Sequence, residues 1–368
     1  MTDQGQLIWS GPESNATNFK WQLYQGRPTL TYWGGLTTSG ANIGHGYGNI
    51  TFLDETYNVT SVLCPKFDNY NTAGDGTFAC ESDIHESYLT DRGTMIVSAY
   101  NATQTDLTSI GGPADGWIWD SRFYELNTTT NEVIFRWSPI EHVPVNKTFM
   151  PISDNGNSTS PFDYFHLNSV VNIGEDCYLA NSRHTWTIYL ISKASGEIIW
   201  QFNGNDGGDF EIPEDFVHFA WQHFVRPHNI TFESFDVLIY NNNNYSPQEP
   251  HVNATDLLVY TLPVPSSTSS GMKATLKFRI QTSKPLYDDS QGSYFPQMSN
   301  GNSFADFGQL PILKEFDPSG KEIWSAQLGV NNLAQIYRAY KLDGWVGRPY
   351  YKPDLVVEEG KGYDKWSW

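Results

Sequence analysis

One pattern constrains the fold of this 368-residue chain more than any other: a tryptophan-bearing strand that returns at a regular interval. It reads NEVIFRWS at 131–138, GEIIWQFN at 196–203 and GKEIWSAQ at 320–327, with Trp137, Trp200 and Trp324 at matching places. The tryptophans lie 63 and 124 residues apart, so the second interval is close to twice the first. Each copy follows a turn (NTTTN, KASG, DPSG), as the second arm of a hairpin does. Elsewhere, short runs of Val, Ile, Thr, Tyr and Phe are separated by Gly, Asn, Asp and Pro, and helical periodicity is scarce. Short strands repeating at this period point to blades of four-stranded sheet around a channel, which leave no long free edges once the ring closes. Dividing the whole chain by the period predicts six units. The expected fold is therefore all-β, a six-bladed β-propeller with an axial ligand site. It forms a single domain over 1–368, in which 1–60 is the first blade or the ring closure. The segments 241–255 and 261–273 read as surface loops.

A formal charge of −19, with no block of Lys or Arg, argues against nucleic acid or an anionic membrane as partner, because both demand a basic surface. No apolar run approaches the length of a membrane span. Aromatic residues make up 15% of the chain, which suits a core and also a pocket for a flat organic ligand. N-x-S/T sequons stand at Asn15, Asn49, Asn58, Asn101, Asn127, Asn146, Asn157, Asn229 and Asn253, with a weaker one at Asn244 because Pro247 follows its Ser. So many in one chain favour a glycosylated protein of the secretory pathway or the extracellular space. The chain starts Met1-Thr2-Asp3 without an apolar leader, so a signal peptide is expected to have been removed. Of the three cysteines, Cys64 and Cys80 flank a Gly/Asn-rich loop and are expected to pair, leaving Cys177 as a buried free thiol. The loop DNYNTAGDGT at 68–77 hints at calcium, but its spacing matches no standard pattern.

Side chains at the heads of a propeller's inner strands converge on one mouth of the channel. Three histidines occupy equivalent places there: His85 in DIHESYL, His166 in YFHLNSV and His223 in AWQHFVR. Arg183 closes the hairpin that His166 opens. Taken alone, each has a plainer reading. A single histidine is usually a satisfied residue, as expected for His45, His142, His184, His218, His228 and His251, and Arg183 could pair with Glu175 or Asp176. The aligned trio is harder to dismiss. Three imidazoles can bind a metal, but an arginine beside them would repel the cation, so neither metal nor cofactor is expected. With Arg183 they suit an anionic group and its transfer: one imidazole as nucleophile, one moving a proton, and the guanidinium clamping oxygens.

Longer stretches carry a resemblance. DGWIWDSRFYELNTTTNEVIFRWSPIEHVP (115–144), PFDYFHLNSV, NSRHTWTIYLISKASGEIIW, FAWQHFVR, PQMSNGN and YRAYKLDGWVGRP (337–349) follow in order, after GHGYG at 44–48. From about residue 20 to 355 the chain resembles the fungal arylsulfotransferase-like proteins. The resemblance implies a six-bladed propeller. It also implies, as in the family's bacterial enzymes, transfer of a sulfuryl group between phenols without a nucleotide donor. It places the nucleophile on His223, with His85, His166 and Arg183 binding the sulfate oxygens. Three places depart from the family pattern. Phe224, Val225 and Arg226 follow the QH pair where Asp-Ala-Arg is usual, LIYNNNN (238–244) replaces a Phe-Asp-Asn run, and FNG (202–204) replaces LGG. The acid that would fix the His223 tautomer is thus missing from that place.

Secreted fungal relatives also include pericyclases, which join a tropolone quinone methide to a macrocyclic sesquiterpene in a hetero-Diels–Alder reaction. The departures near His223 and the secretory setting favour such a cyclase, with aromatic and terpenoid small molecules as substrates. The retained His/Arg set favours the aryl sulfotransferase. A non-catalytic binding propeller leaves the histidine trio unexplained. The reading puts the cyclase first and the transferase second. Under the first, Tyr164, Phe165, Trp186, Trp221 and Tyr294 supply the walls of the pocket.

Overall fold

The structure is a computed structural model and describes residues 1–348 except 3, 13–14, 39–43, 243–253, 265–270, 296–298, 332, 343–344 and 346. Among the described residues, strands gather into five four-stranded antiparallel sheets, each made of consecutive strands. Blade 1 holds Ala16–Tyr24, Arg27–Thr38, His45–Leu53 and Val59–Leu63. Blade 2 holds Ser87–Leu89, Thr94–Thr105, Gly116–Asn127 and Val133–Trp137. Blade 3 holds Leu167–Ile173, Cys177–Ser182, Thr187–Ser192 and Ile198–Asn203. Blade 4 holds His223–His228, Ser234–Asn241, Asp256–Pro263 and Thr275–Gln281. Blade 5 holds Ser293–Phe295, Ser303–Phe307, Ile312–Phe316 and Glu322–Gln327. A short parallel pair, Phe210–Glu211 with Met272–Lys273, flanks blade 4.

The propeller is thus as expected, but with five blades rather than six. The period itself is correct: Ala16 to Gln327 at about 62 residues per blade is five blades. The error lies in dividing the full chain, since the five blades of the described residues span only 16–327. Trp137, Trp200 and Trp324 stand in the outer strands of blades 2, 3 and 5, so the double interval spans blade 4, whose outer strand TLKFRIQ has no tryptophan.

The first strand of each blade is the inner one. The inner strands of blades 1 and 2, of 3 and 4, and of 4 and 5 neighbour one another, and that of blade 3 is buried almost throughout. Outer strands alternate or face solvent, as in Val59–Leu63 and Glu322–Gln327. Apolar clusters fill the gaps between blades 1 and 2, 2 and 3, 3 and 4, and 4 and 5. The described residues between 335 and 348 cross from blade 5 to blade 1 instead. Ala339 N–H donates to Ser293 Oγ at 3.1 Å on blade 5, while Arg338 Nη1 donates to Asn18 Oδ1 at 3.0 Å and Trp345 Nε1 to Tyr57 Oη at 3.2 Å on blade 1. This strap closes the ring.

Cys64 and Cys80 form a disulfide with Cα atoms 4.8 Å apart, and Cys177 is free and half-buried rather than buried. Asn15, Asn58, Asn146, Asn157 and Asn229 are exposed, and Asn49 and Asn127 are half-buried. Asn101 departs from expectation: it is buried in the second strand of blade 2. Its Oδ1 accepts the Asn71 N–H at 2.8 Å and its Nδ2 donates to Thr103 Oγ1 at 2.9 Å, which leaves no room for a glycan. Asn244 and Asn253 lie outside the described residues. Asp75 in the 68–77 loop accepts a hydrogen bond from Tyr47 Oη at 3.1 Å. Among the described residues no helix is long and apolar enough to cross a membrane.

Candidate functional site

At the head of each inner strand the chain turns sharply to enter the blade. Several non-glycine residues there adopt left-handed backbone: Asn18 (φ 56°), His166 (φ 54°), Trp221 (φ 57°), Phe224 (φ 50°) and Gln291 (φ 65°). Each such residue costs on the order of 1 kcal/mol or more and persists only where its surroundings enforce it. Asn18, His85, His166, His223 and Gln291 stand at these heads, one from each blade, and all five line a single cavity of about 660 Å³. Gln335, Ile336, Tyr337 and Arg338 of the strap complete its wall.

The structure therefore brings His85, His166, His223 and Arg183 to one cavity, as the alignment of the trio implied. The three histidines are buried, and the His85 and His166 rings meet edge to face with centroids 4.7 Å apart. Arg183 is half-buried and caps the His166 hairpin, its N–H donating to the His166 carbonyl at 3.0 Å. Its guanidinium lies 5.1 Å from the Trp221 ring centre and donates to the Asp289 carbonyl at 3.1 Å. Among the described residues, it forms no ion pair with Glu175 or Asp176, so that pairing is not the reason for its place.

Each histidine is anchored through Nδ1, but the anchors differ. His85 Nδ1 lies 2.5 Å from Asp83 Oδ1, and His166 Nδ1 lies 2.7 Å from Asp163 Oδ2. His223 Nδ1 meets an amide, Asn242 Oδ1, at 2.7 Å. Asn242 Nδ2 donates to the carbonyls of Asp288 and Gln291, both at 3.0 Å, so Oδ1 is the accepting end. His223 must then carry its proton on Nδ1, leaving a lone pair on Nε2, which accepts the Gln291 N–H at 3.3 Å. Burial, then the Arg183 charge, holds the His223 pKa well below its usual value. Burial likewise lowers His166 strongly, with His85 and Arg183 adding to the effect. Burial opposes ionisation of Asp83, but the adjoining His85 prevails and holds it at about 2.

Beneath the histidines is a second polar layer. The buried Glu86 carboxylate is shared by Lys20 Nζ (2.8 Å), Arg226 Nη2 (2.7 Å) and Arg338 Nη1 (2.9 Å). Two guanidiniums and a partly charged Lys20 against one carboxylate leave this layer with a net positive charge. Burial is the main reason that the Lys20 pKa falls to about 7, with Arg338 and Arg226 pushing it the same way.

Asp163, His166 and His184 lie close enough to share a metal ion, yet the set does not suit one. His184 Nδ1 donates to the Asp163 carbonyl at 2.6 Å, and its Nε2 faces Arg183 Nη1 at 3.0 Å. A cation there would sit against the guanidinium.

The aromatic walls expected from sequence are elsewhere. Tyr164 and Phe165 belong to the core between blades 2 and 3, and Tyr294 to that between blades 4 and 5. Trp186 is buried against Phe149, and Trp221 sits beneath Arg183; neither lines the cavity. Of the five only Tyr294 lies in a strand; the others sit in turns and bends at strand ends, where proximity to an inner strand does not reveal which way a side chain points. Sequence reasoning also missed Asp83, Asp163, Asn242, Tyr337 and Arg338. The first two carried a signal, an acid two or three residues ahead of a head histidine.

A family model described as arylsulfotransferase (ASST) matches residues 20–329. No curated protein matches the chain. Among solved structures, a protein of unknown function from Bacteroides caccae is 11% identical with a TM-score of 0.47, covering 91% of this chain and 90% of its own. The β-propeller domain of Cps50 (Swd1) from Myceliophteria thermophila is 11% identical with a TM-score of 0.44, covering 86% and 90%.

Proposed function

The chain belongs to the arylsulfotransferase family, and from that premise we propose that it moves a sulfuryl group from one phenol to another through Nε2 of His223. The observation that carries the reading is the Asn242 anchor, which leaves His223 as a neutral imidazole with its lone pair on Nε2. In the first step Nε2 gives up its long contact with the Gln291 N–H and attacks the sulfur of an aryl sulfate. The N–S bond forms, the S–O bond to the aryl group breaks, and the phenolate leaves with the electron pair. The Nδ1 proton stays on its bond to Asn242. A proton from the His85–Asp83 pair neutralises the phenolate. In the second step the acceptor phenol attacks the sulfur, returns its proton to that pair and restores the Nε2 lone pair. Arg183 and the two carboxylate-backed histidines hold the sulfate oxygens as charge shifts between them.

The electropositive axial layer answers the objection that a chain of charge −19 should repel an anionic donor. A cavity of about 660 Å³ has room for an aryl sulfate, within the usual range for small-molecule sites. The cyclase reading rested on the departures near His223 and on the secretory setting, with five aromatic residues as its walls. Asn242 supplies the missing partner and none of the five lines the cavity, so these observations support transfer over cycloaddition. The disulfide and the exposed sequons support a secretory setting.

The test is nitrophenol release from nitrophenyl sulfate with a phenol acceptor and no nucleotide. Release by the wild type that is lost in a folded His223→Ala variant supports the proposal. Undiminished release by that variant would sink it. A wild type that is inert with such donors, yet accelerates a cycloaddition of quinone methides, would restore the cyclase.

A further inference from the structure

The carbonyls of His85 and His166 are satisfied in different ways. That of His166 accepts the Arg183 N–H from its own hairpin. That of His85 lies ahead of the inner strand of blade 2 and is bonded from outside the blade, by Arg338 Nη2 at 2.8 Å and Tyr337 Oη at 3.1 Å. Arg338 spends its other terminal hydrogens on the Asn168 carbonyl (2.7 Å), Glu86 Oε1 (2.9 Å) and Asn18 Oδ1 (3.0 Å). One guanidinium thus joins the inner-strand heads of blades 1, 2 and 3. Its own segment is tied to blade 5, where Ile336 N–H donates to the Gly308 carbonyl at 2.8 Å and Gly292 N–H to that of Tyr337 at 3.3 Å. Arg338 lines the cavity, yet each of its terminal hydrogens already has a protein acceptor, so it has little left to offer a substrate.

We propose that Arg338, assisted by Tyr337, is a positioning residue that acts through His85. It fixes the His85 backbone at one end while Asp83 fixes the ring at the other, which sets the edge-to-face contact with His166. The inference rests on the reading of His85 and His166 as an oxygen-binding pair. Without the strap, the His85 carbonyl would be a buried acceptor lacking its partners, and the residue would turn to find one. The loss need not unfold the chain, because Glu86 keeps Lys20 and Arg226.

The test uses the full chain, inorganic sulfate as the probe and the imidazole ¹⁵N signals of His85, assigned by comparison with His85→Gln. Arg338→Met should unfold cooperatively like the wild type, shift the His85 signals and weaken sulfate binding about tenfold or more. Arg338→Lys should restore part of the loss. In the His85→Gln background, Arg338→Met should cost nothing further, since an effect exerted through one residue vanishes with it. Equal losses in both backgrounds, or unmoved His85 signals, would overturn the proposal. If the wild type binds no sulfate, the transfer reading fails, while the His85 signals still decide this one. If Arg338→Met does not fold, Tyr337→Phe keeps every charge and runs through the same cycle.

Discussion

An amide beside His223, where the other two histidines have carboxylates, separates the roles of the trio. A carboxylate stabilises the imidazolium, whereas the Asn242 oxygen selects a tautomer without adding charge. Asn242→Ala should therefore lower kcat about 10–100-fold with little change in KM, because the sulfate oxygens are held by other residues. A rise in KM alone in steady-state kinetics would contradict that role. A second residue-scale prediction concerns Asp306, which is fully buried, has no hydrogen-bond partner on either oxygen among the described residues and lies near Asp288. Burial, reinforced by Asp288, raises the Asp306 pKa well above normal, and burial lifts Asp288 to about 7. Such acids bind more protons folded than unfolded, so their contribution to stability is full at acid pH and is lost as pH rises through the raised values. Asp306→Asn should add about 1–3 kcal/mol near pH 8 and less near pH 5, read by denaturant unfolding. An equal effect at both pH values would argue against a protonated pair. Sequence reading found the histidines because they repeat. Asn242 and Arg338 stayed hidden because their partners are distant in sequence: Arg338 reaches back 253 residues to the His85 carbonyl.

The outer-strand tryptophan explains why the repeat was legible. Trp137 is buried, and its Nε1 donates to the Gly196 carbonyl at 3.0 Å, in the turn that precedes the next copy of the motif. Trp200 is equally buried in the core between blades 3 and 4, packing on Phe210 and Phe235. Trp324, on the last blade, is only half-buried. Trp200→Ala should cost about 3–5 kcal/mol and Trp324→Ala distinctly less. Equal losses in chemical denaturation would mean that the motif does not report blade packing. Each interior tryptophan seals a junction with a following blade, and that shared demand makes the motif recur. Blade 4 shows the limit of the pattern, since Thr275–Gln281 forms the same outer strand with Leu276, Phe278 and Ile280 as its large apolar residues.

At the scale of the molecule, a ring of five blades is closed by a strap rather than by a sixth blade. The strap was quoted from sequence as a landmark, YRAYKLDGWVGRP, but nothing local in it tells a closing segment from a strand. Its meaning lies in bonds to blades 1, 2, 3 and 5. The same geometry sets Lys20, Arg226 and Arg338 around a buried Glu86 in a chain that is acidic overall. The most direct test of the account is peptide mass analysis after mixing the protein with an aryl sulfate in the absence of any phenol acceptor. The account predicts a gain of one SO₃ unit on the peptide that carries His223, labile to acid, discharged by added phenol and absent from His223→Ala. An adduct on another residue, or transfer at the wild-type rate by folded His223→Ala, would contradict it.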